Sequence, residues 1–345
     1  MQYKFGICGP FDFNEMSTGG QSIKTREFYF ALSDCCSKET IMVLESTEYK
    51  KNPLRFVYNF YKLMKNCENV IVFPAQNGIR VFAPLCKIIK KITNTCTFYG
   101  VIGGWLPNLL TTNPKLKRSL LDFDCILVET NVMKTSLINN GLQNVEKLEN
   151  FKRMQPVSES DIKGVSHPVK LCYFSRVTKQ KGIEDAVKIV NMINKTKIRC
   201  TLDIYGPVAD GYDLEFDILK KDFSSGIRYM GKANPSDSVS ILSEYDLQVF
   251  PTHYRTEGIP GSILDGYFAG VPVVAAKWDS FSDLVEDGVT GRGYTMGDLD
   301  DFYKTLMELI LDEKNIMQMK KSCLKEANKY LPQNVIHKFL RIVGK

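Results

Sequence analysis

The 345-residue sequence lacks any apolar run approaching the ~18 residues that a membrane-spanning helix needs. Its first residues also lack the long apolar segment and the cleavage site of a secretory signal peptide. The ten cysteines are scattered, and none stands in a Cys-x-x-Cys spacing, which argues against a zinc site or a disulfide framework. We therefore expect a cytoplasmic protein with reduced thiols, for which any membrane contact is peripheral.

Two further absences argue against common classes of nucleotide-binding protein. No Gly-x-Gly-x-x-Gly motif is present, which argues against a dinucleotide-binding dehydrogenase. No recognisable nucleic-acid-binding motif accompanies the basic residues, so we do not expect DNA or RNA as a partner.

The excess of basic residues lies in the first half of the chain. Residues 1–165 hold 21 Lys+Arg against 15 Asp+Glu, whereas the remaining residues hold 24 of each. This excess favours contact with anionic lipid headgroups at the inner face of the cytoplasmic membrane or with a phosphorylated acceptor; the alternative is a solvated basic surface. Residues 53–65 are aromatic on one side and basic on the other, and predict either a membrane-surface helix or a helix packed on the core.

Short apolar runs alternate with amphipathic stretches along the whole chain. This alternation predicts an α/β protein with parallel, doubly wound sheets. The candidate strands lie at residues 4–8, 40–44, 69–73, 97–102, 125–129, 169–174, 200–205, 227–230, 247–250 and 273–275.

A polar segment with proline and serine at residues 151–168 separates two sets of strands. We therefore predict two Rossmann-like domains that face a central cleft, with ligands beyond the carboxyl ends of the strands. The predicted domains are residues 1–155 and 168–332, and a C-terminal helix near 333–345 is expected to pack on the first domain.

Two groups of residues suit the binding of a diphosphate. Gly19 and Gly20 precede a helical stretch, whose first N–H groups would point at an anion. Arg176 follows the strand at 169–174, and Lys181 stands five residues later at the start of the next helix. Two cations fixed at a strand end suit a diphosphate, since Arg can bind two oxygens and Lys acts as a point charge. The alternatives are a flexible loop and two ordinary surface cations.

A third group combines two carboxylates with glycines after the strand at 247–250. Asp265 comes eight residues after Glu257, about two turns into the predicted helix, so both acids can lie at one edge of a site and bind vicinal hydroxyls. The alternatives are charge compensation at a helix N-terminus for Glu257 and an exposed helical acid for Asp265. The residues after Glu257 are Gly258, Ile259, Pro260, Gly261 and Ser262.

Together these motifs resemble those of the retaining glycosyltransferases of family 4, which have the GT-B fold and include enzymes of bacterial surface-polysaccharide synthesis. The resemblance covers roughly residues 169–295 and is looser over the first half, where only Gly19-Gly20 and the strand pattern match. The matching segments occur in the family's order: Phe174-Ser175-Arg176 with Lys181-Gly182, Asp203-Ile204-Tyr205-Gly206, Tyr229-Met230-Gly231, Tyr245-Asp246-Leu247, Glu257 to Asp265, Ala269-Gly270-Val271-Pro272-Val273-Val274, and Glu286-Asp287-Gly288-Val289-Thr290-Gly291.

The resemblance implies a role for each matching residue. Arg176 and Lys181 would bind the donor diphosphate, and Glu257 would contact the donor sugar, so these three form the predicted catalytic set. The implied donor-binding residues are Gly19, Gly20, Gly206, Gly258, Ile259, Pro260, Gly261, Ser262 and Asp265.

Two departures from the family pattern affect this assignment. Asp265 replaces the second Glu of the family's motif and is one methylene shorter, so its carboxylate reaches less far toward a ribose. The first-domain His that many members use is missing, because the only histidines are His167, His253 and His337. The corresponding strand end is Gly103-Gly104-Trp105, which we expect either to line the cleft or to form a turn with a packed Trp.

We do not expect a metal or another cofactor, because Arg, Lys and helix N-termini would neutralise the donor. Asp122-Phe123-Asp124 resembles the metal-binding motif of a different transferase fold, but it precedes an apolar strand and is interpreted as a turn.

The sequence therefore predicts a glycosyltransferase of hexosyltransferase type. It would move a sugar from a nucleoside diphosphate to a hydroxyl of a lipid-linked or growing glycan. The alternatives are a nucleotide-sugar epimerase of the same fold and a non-catalytic subunit that binds sugar nucleotides.

Overall fold

The computed structural model of the protein describes residues 2–13 and 20–344. Their contacts divide the chain into two compact units, one of residues 1–153 with 332–345 and one of residues 154–331. Each unit is built on a six-stranded, fully parallel sheet, so the predicted α/β class with two doubly wound sheets is confirmed. No helix in these described residues combines the length and the apolar character needed to cross a bilayer.

The sheet of the first unit has the order β2-β1-β3-β4-β5-β6. Side chains alternate across it, because Val70 and Val72 join one hydrophobic cluster and Ile71 joins the other. Its strands are β1 (Tyr3–Gly9), β2 (Ile41–Glu45), β3 (Cys67–Val72), β4 (Cys96–Gly100), β5 (Cys125–Val128) and β6 (Val145–Lys147).

The helices of the first unit cover both faces of this sheet. Phe339 near the C-terminus is fully buried against Phe28, with ring centroids 5.1 Å apart, and this contact ties residues 332–345 to the first sheet. The helices are α1 (Gly20–Cys35), α2 (Glu48–Lys51), α3 (Pro53–Asn66), α4 (Ile79–Lys90), α5 (Leu106–Thr111), α6 (Pro114–Leu120), α7 (Asn131–Asn139) and, from the chain end, α14 (Pro332–Val343).

The sheet of the second unit has the order β12-β11-β10-β7-β8-β9, which is the strand order of a dinucleotide-binding Rossmann sheet. Its strands are β7 (Val169–Phe174), β8 (Cys200–Tyr205), β9 (Ile227–Gly231), β10 (Leu247–Phe250), β11 (Val273–Ala276) and β12 (Gly291–Tyr294). Its helices are α8 (Ile183–Ile193), α9 (Asp213–Leu219), α10 (Ser238–Leu242), α11 (Gly261–Phe268), α12 (Leu299–Ile310) and α13 (Glu313–Ala327).

Two strands, β6 and β12, were not predicted from the sequence. Both lie at the edge of a sheet, and both are short and contain charged residues or glycines instead of an apolar run. An edge strand needs fewer apolar side chains, because it has only one neighbouring strand and is less buried.

The polar segment between the two sets of strands is anchored in the second unit by a buried charge. Lys320 of α13 contacts Asp246 at 3.1 Å and donates to the carbonyl of Lys163 at 3.2 Å. The other oxygen of Asp246 accepts from the amides of Ser166 and Lys170. Every polar atom of this pair is therefore engaged, which is the condition under which an ion pair is tolerated in a protein interior.

Candidate active site

The predicted catalytic residues of the second unit follow two strands that lie side by side. Strands β7 and β10 are neighbours at the centre of the sheet, where the order of strands reverses. In doubly wound sheets this switch point leaves a crevice outside the carboxyl ends of the strands. Arg176 and Lys181 follow β7 and Glu257 follows β10, so all three belong to this edge of the sheet.

A buried tyrosine shapes the loop that contains both predicted cations. The hydroxyl of Tyr173, which is 1% exposed, lies 3.0 Å from the carbonyl oxygen of Arg176 and 3.3 Å from that of Lys181, and donates to them. The hydroxyl of Thr178 also accepts from the amide of Lys181 at 3.1 Å. The two cations therefore stand on a backbone that is fixed from inside the sheet.

Two glycines allow neighbouring loops to approach this edge closely. Gly182 has a φ of 74°, and a Cβ atom there would lie 1.7 Å from the carbonyl oxygen of Pro251. Gly206 has a φ of 145°, and its Cβ atom would lie 1.9 Å from the carbonyl oxygen of Ser175. Side chains are excluded at both positions, because the loops after β7, β8 and β10 meet there.

Lys181 and Glu257 form an ion pair in which the side chains are 22% and 14% exposed. The same carboxylate oxygen accepts from the hydroxyl of Thr252 at 3.1 Å. The ammonium group of Lys181 also lies 5.3 Å from the ring centroids of both Phe250 and Tyr254, within the range of a cation–π contact. The structure thus brings together two of the three predicted catalytic residues, which are 76 positions apart in the sequence.

Arg176 differs from Lys181 in its surroundings. Its side chain is exposed and makes no ion pair with any residue that the structure describes. A guanidinium group at the end of a central strand is therefore available to bind an anion bidentately.

The glycine-containing segment after Glu257 leads directly into a helix. Pro260 is the N-cap residue of α11, and the buried Ile259, 4% exposed, anchors the turn before it. The amides of Gly261 and Ser262 make no hydrogen bond within residues 2–13 and 20–344. Such unpaired amides, together with the positive end of the helix dipole, favour binding of an anion at the start of α11.

Asp265 lies elsewhere than the sequence pattern indicated. Because α11 begins at Gly261, Asp265 is only about one turn into the helix, not two, and it is 4% exposed. The alternative of an ordinary exposed helical acid is therefore wrong. Its contact with a ribose stays a prediction.

The predicted residues of the first unit follow strands of the other sheet. Gly20 is exposed at the start of α1, while Gly19 falls outside the described residues. Gly103, Gly104 and Trp105 follow β4, where Gly103 has a φ of 77° and the indole of Trp105 donates to the carbonyl of Ile102 at 2.8 Å. These residues form a turn with a partly packed Trp, and their part in binding a ligand stays a prediction.

The sequence did not single out Tyr173 or Thr252. Tyr173 lies in the apolar strand β7, so the sequence predicted only a core residue and not a hydrogen bond from its hydroxyl to the following loop. Thr252 did carry a weak signal, because it is a polar residue two positions after the central strand β10. The structure buries it fully.

The acidic motif before β5 has a structural role. Asp124 accepts from the amide of Thr97 at 2.7 Å and pairs with Lys90, while Asp122 pairs with Lys87 at 2.9 Å. The two carboxylates therefore fix the turn that leads into β5. No cluster of three or more His, Cys, Asp or Glu side chains able to hold a metal occurs in the described part of the chain.

Comparison with known proteins agrees with this geometry. Residues 168–312 match the family model described as Glycosyl transferases group 1. The match includes β7, β10 and α11, so the Lys181–Glu257 pair and Arg176 lie within the matched domain.

Two curated relatives match part of the chain. An uncharacterized glycosyltransferase of Methanocaldococcus jannaschii is 26% identical over 160 residues, which are 45% of this chain and 38% of that protein. An uncharacterized 41.2 kDa protein in the cps region of Klebsiella pneumoniae is 21% identical over 234 residues, 66% of this chain and 60% of its own length. The matched parts thus span less than two thirds of these relatives.

The fold is shared with solved structures over almost the whole chain. HepE of Anabaena, solved in complex with UDP, superposes with a TM-score of 0.79, covers 99% of both chains and is 15% identical. At this identity the likeness establishes the fold alone, which is the GT-B fold that the sequence predicted.

Proposed function

We propose that the protein is a retaining glycosyltransferase of hexosyltransferase type. It would transfer a sugar from a nucleoside diphosphate to a hydroxyl of a lipid-linked or growing glycan. The observation that carries the proposal is the Lys181–Glu257 ion pair at the switch point of the second sheet, on the same edge as the exposed Arg176. The domain match over residues 168–312 supports a transferase over an epimerase.

Each group of the site has a defined part in this reaction. Arg176, Lys181 and the first amides of α11 would neutralise the donor diphosphate and the charge that grows on it as the glycosidic bond breaks. Glu257 would bind a hydroxyl of the donor sugar. The departing phosphate would take the proton of the attacking acceptor hydroxyl, so the reaction needs no dedicated base.

The donor can be identified by ligand-induced stabilisation. We expect one nucleoside diphosphate to raise the Tm above the others, because a ligand at 100 times its Kd stabilises the folded state by ~2.7 kcal/mol. Uridine diphosphate is the first candidate, since HepE binds it. Arg176→Ala is the matched control and should abolish the shift. If no nucleoside diphosphate raised the Tm of the wild type above that of the Arg176→Ala variant, the result would contradict the proposed site.

Turnover separates the transferase from its alternatives. Release of nucleoside diphosphate from the sugar donor should be accelerated by an added acceptor, whereas an epimerase would convert the donor without one and a non-catalytic subunit would do neither. We further propose that catalysis requires no metal, so the rate should persist in excess EDTA. Complete loss of activity with EDTA, restored by a divalent cation, would refute this part of the proposal.

The proposed membrane-linked acceptor is supported by the outer face of α3. The inner face of this helix packs in the core through Phe56 and Phe60, as the core-packing alternative expected. The outer face exposes Leu54 (84%) and Tyr58 (56%) next to Arg55 and Lys62. An exposed apolar surface bordered by cations suits the headgroup region of an anionic bilayer.

Binding to liposomes tests this face. Wild type should bind phosphatidylglycerol vesicles at low salt and dissociate as salt rises, and Leu54→Asp should weaken binding without unfolding the protein. Leu214→Asp, at a position of the second unit that is 78% exposed, is the matched control. Equal binding by both variants would exclude α3 as the contact.

A further inference from the structure

Another ion pair with little solvent exposure lies in the first unit and is not used by the proposed donor site. Glu129 directly follows β5 and is 3% exposed. Its carboxylate pairs with the ammonium group of Lys24, whose side chain is 13% exposed. Lys24 lies in the second turn of α1, on a helix whose other buried side chains include Phe28 and Leu32.

This pair belongs to the carboxyl edge of the first sheet. In the first turn of α1, the side-chain amide of Gln21 donates to the carbonyl of Phe73, directly after β3, at 2.7 Å. One turn later, Lys24 reaches Glu129 after β5. Strand β4, which is followed by Gly103 and Trp105, lies between β3 and β5 in the sheet. The start of α1 is thus tied to the same edge at which the Trp105 turn stands, next to the crevice that this strand order creates between β1 and β3.

Packing does not explain why charges stand here. Removing a carboxylate and an ammonium group from water costs more than their mutual attraction commonly returns, and apolar residues of similar volume often stabilise a fold better. The Lys320–Asp246 pair stands before β10, at the opposite edge of its sheet. The Lys24–Glu129 pair follows β5, at the edge where doubly wound sheets bind ligands, and this position favours a polar ligand.

We propose that Lys24 and Glu129 bind hydroxyl groups of a glycosyl acceptor, with the ring of Trp105 as an apolar surface for the sugar. This inference rests on the proposed transferase function. A carboxylate accepts from hydroxyls and an ammonium group donates to them, and such charge-assisted bonds are about twice as strong as neutral ones. The carboxylate of Glu129 would repel a phosphate but accepts from hydroxyls, so sugar hydroxyls are the groups that we propose it binds.

The double substitution K24M/E129Q tests this proposal, because it removes both charges together and leaves neither one unpaired. Wild type and variant are supplied with UDP-glucose, alone and with a panel of nitrophenyl glycosides, and the release of UDP is measured. We expect the KM for the accelerating glycoside to rise about tenfold or more in the variant. Hydrolysis of UDP-glucose without acceptor, and the affinity for UDP, should stay within about twofold. The single variant Lys24→Arg keeps the ion pair and should therefore retain most of the wild-type affinity for the acceptor.

The possible outcomes separate this proposal from the proposed function. An unchanged acceptor KM in the variant overturns the inference while leaving the transferase intact. A wild-type protein that hydrolyses UDP-glucose but is accelerated by no glycoside overturns the assignment of a glycosyl acceptor. A wild-type protein that binds no nucleoside diphosphate and turns over no sugar nucleotide contradicts the proposed function itself. If the variant loses UDP binding along with acceptor affinity, the pair is structural.

Discussion

The two units share an architecture but differ in how their charged residues are used. Both have a parallel six-stranded sheet with a switch point, and both hold a Lys–Glu pair whose carboxylate follows an interior strand. In the second unit, the Lys181–Glu257 pair is partly exposed and lies at the same sheet edge as the first amides of α11, which have no partner within the described residues. In the first unit, the Lys24–Glu129 pair is more deeply buried. The second unit thus presents groups that suit an anion, and the first unit presents groups that suit a neutral, hydroxyl-rich ligand.

The buried Lys320–Asp246 pair has a structural role, and its loss sets the largest effect on stability that we expect from breaking an ion pair in this protein. Lys320→Met should leave Asp246 without its cation and destabilise the second unit by ~3–5 kcal/mol. Denaturant unfolding measures the change, and Lys321→Met, which removes an exposed partner of Glu159, should cost less than ~1 kcal/mol. Equal losses of unfolding free energy in the two variants would show that the buried Lys320 pair stabilises the protein no more than an exposed pair does.

The catalytic assignment predicts the next largest effect. Glu257→Gln should reduce turnover by about 10²–10³, the loss typical when one group that stabilises a transition state is removed. The reason is that a neutral amide of the same shape binds the sugar hydroxyl more weakly. Steady-state kinetics with a saturating donor would measure it, with Glu244→Gln at the exposed partner of Lys163 as control. Unchanged turnover in the Glu257 variant would remove this residue from the site.

Backbone geometry at the same edge predicts a smaller loss of stability. Gly182→Ala should cost ~2–3 kcal/mol, because it adds a side chain to a left-handed residue and forces the new Cβ against Pro251. Gly211 has a similar φ of 78° but open space around it, so Gly211→Ala should cost only about 1 kcal/mol. The difference between the two free energies of unfolding isolates the close approach of the loops. A difference near zero would mean that the loop after β10 moves away freely.

The sequence predicted buried strands and the chemistry of the site better than it predicted contacts. Strands such as β7 and β8 were predicted with their observed bounds, because central parallel strands are apolar on both faces. The residues Arg176, Lys181 and Glu257 were recognisable by their type and their position after strands. Their pairing was not, because the directions of loop side chains depend on bonds such as those from Tyr173 and Thr252, which leave no periodic pattern.

The first unit was harder to interpret for the same physical reason. Lys24 and Glu129 are single charged residues 105 positions apart, and neither stands in a motif. Only the topology, which places β5 two strands from β3, brings the two side chains to one edge. A buried ion pair that joins elements distant in sequence therefore becomes visible only once the fold is known.

The smallest predicted effect distinguishes the two pairs by their response to a diphosphate. In the absence of donor, Glu257 holds the ammonium group of Lys181, so a diphosphate must compete for it. Glu257→Gln removes both this competition and the repulsion between the carboxylate and the phosphates. We therefore expect the Kd for UDP to fall about three- to tenfold, which corresponds to at most ~1.4 kcal/mol, since the pair is partly screened by solvent. Isothermal titration calorimetry at low salt measures the change, and the gain in affinity should shrink as salt is raised.

Two control variants test whether this gain is specific to the removal of the carboxylate. Thr252→Val keeps the ion pair and should leave the Kd for UDP almost unchanged. Weaker UDP binding by Glu257→Gln would mean that the carboxylate positions Lys181 for the diphosphate instead of competing with it. Glu129→Gln should leave the Kd for UDP unchanged, because the pair in the first unit is assigned to the acceptor.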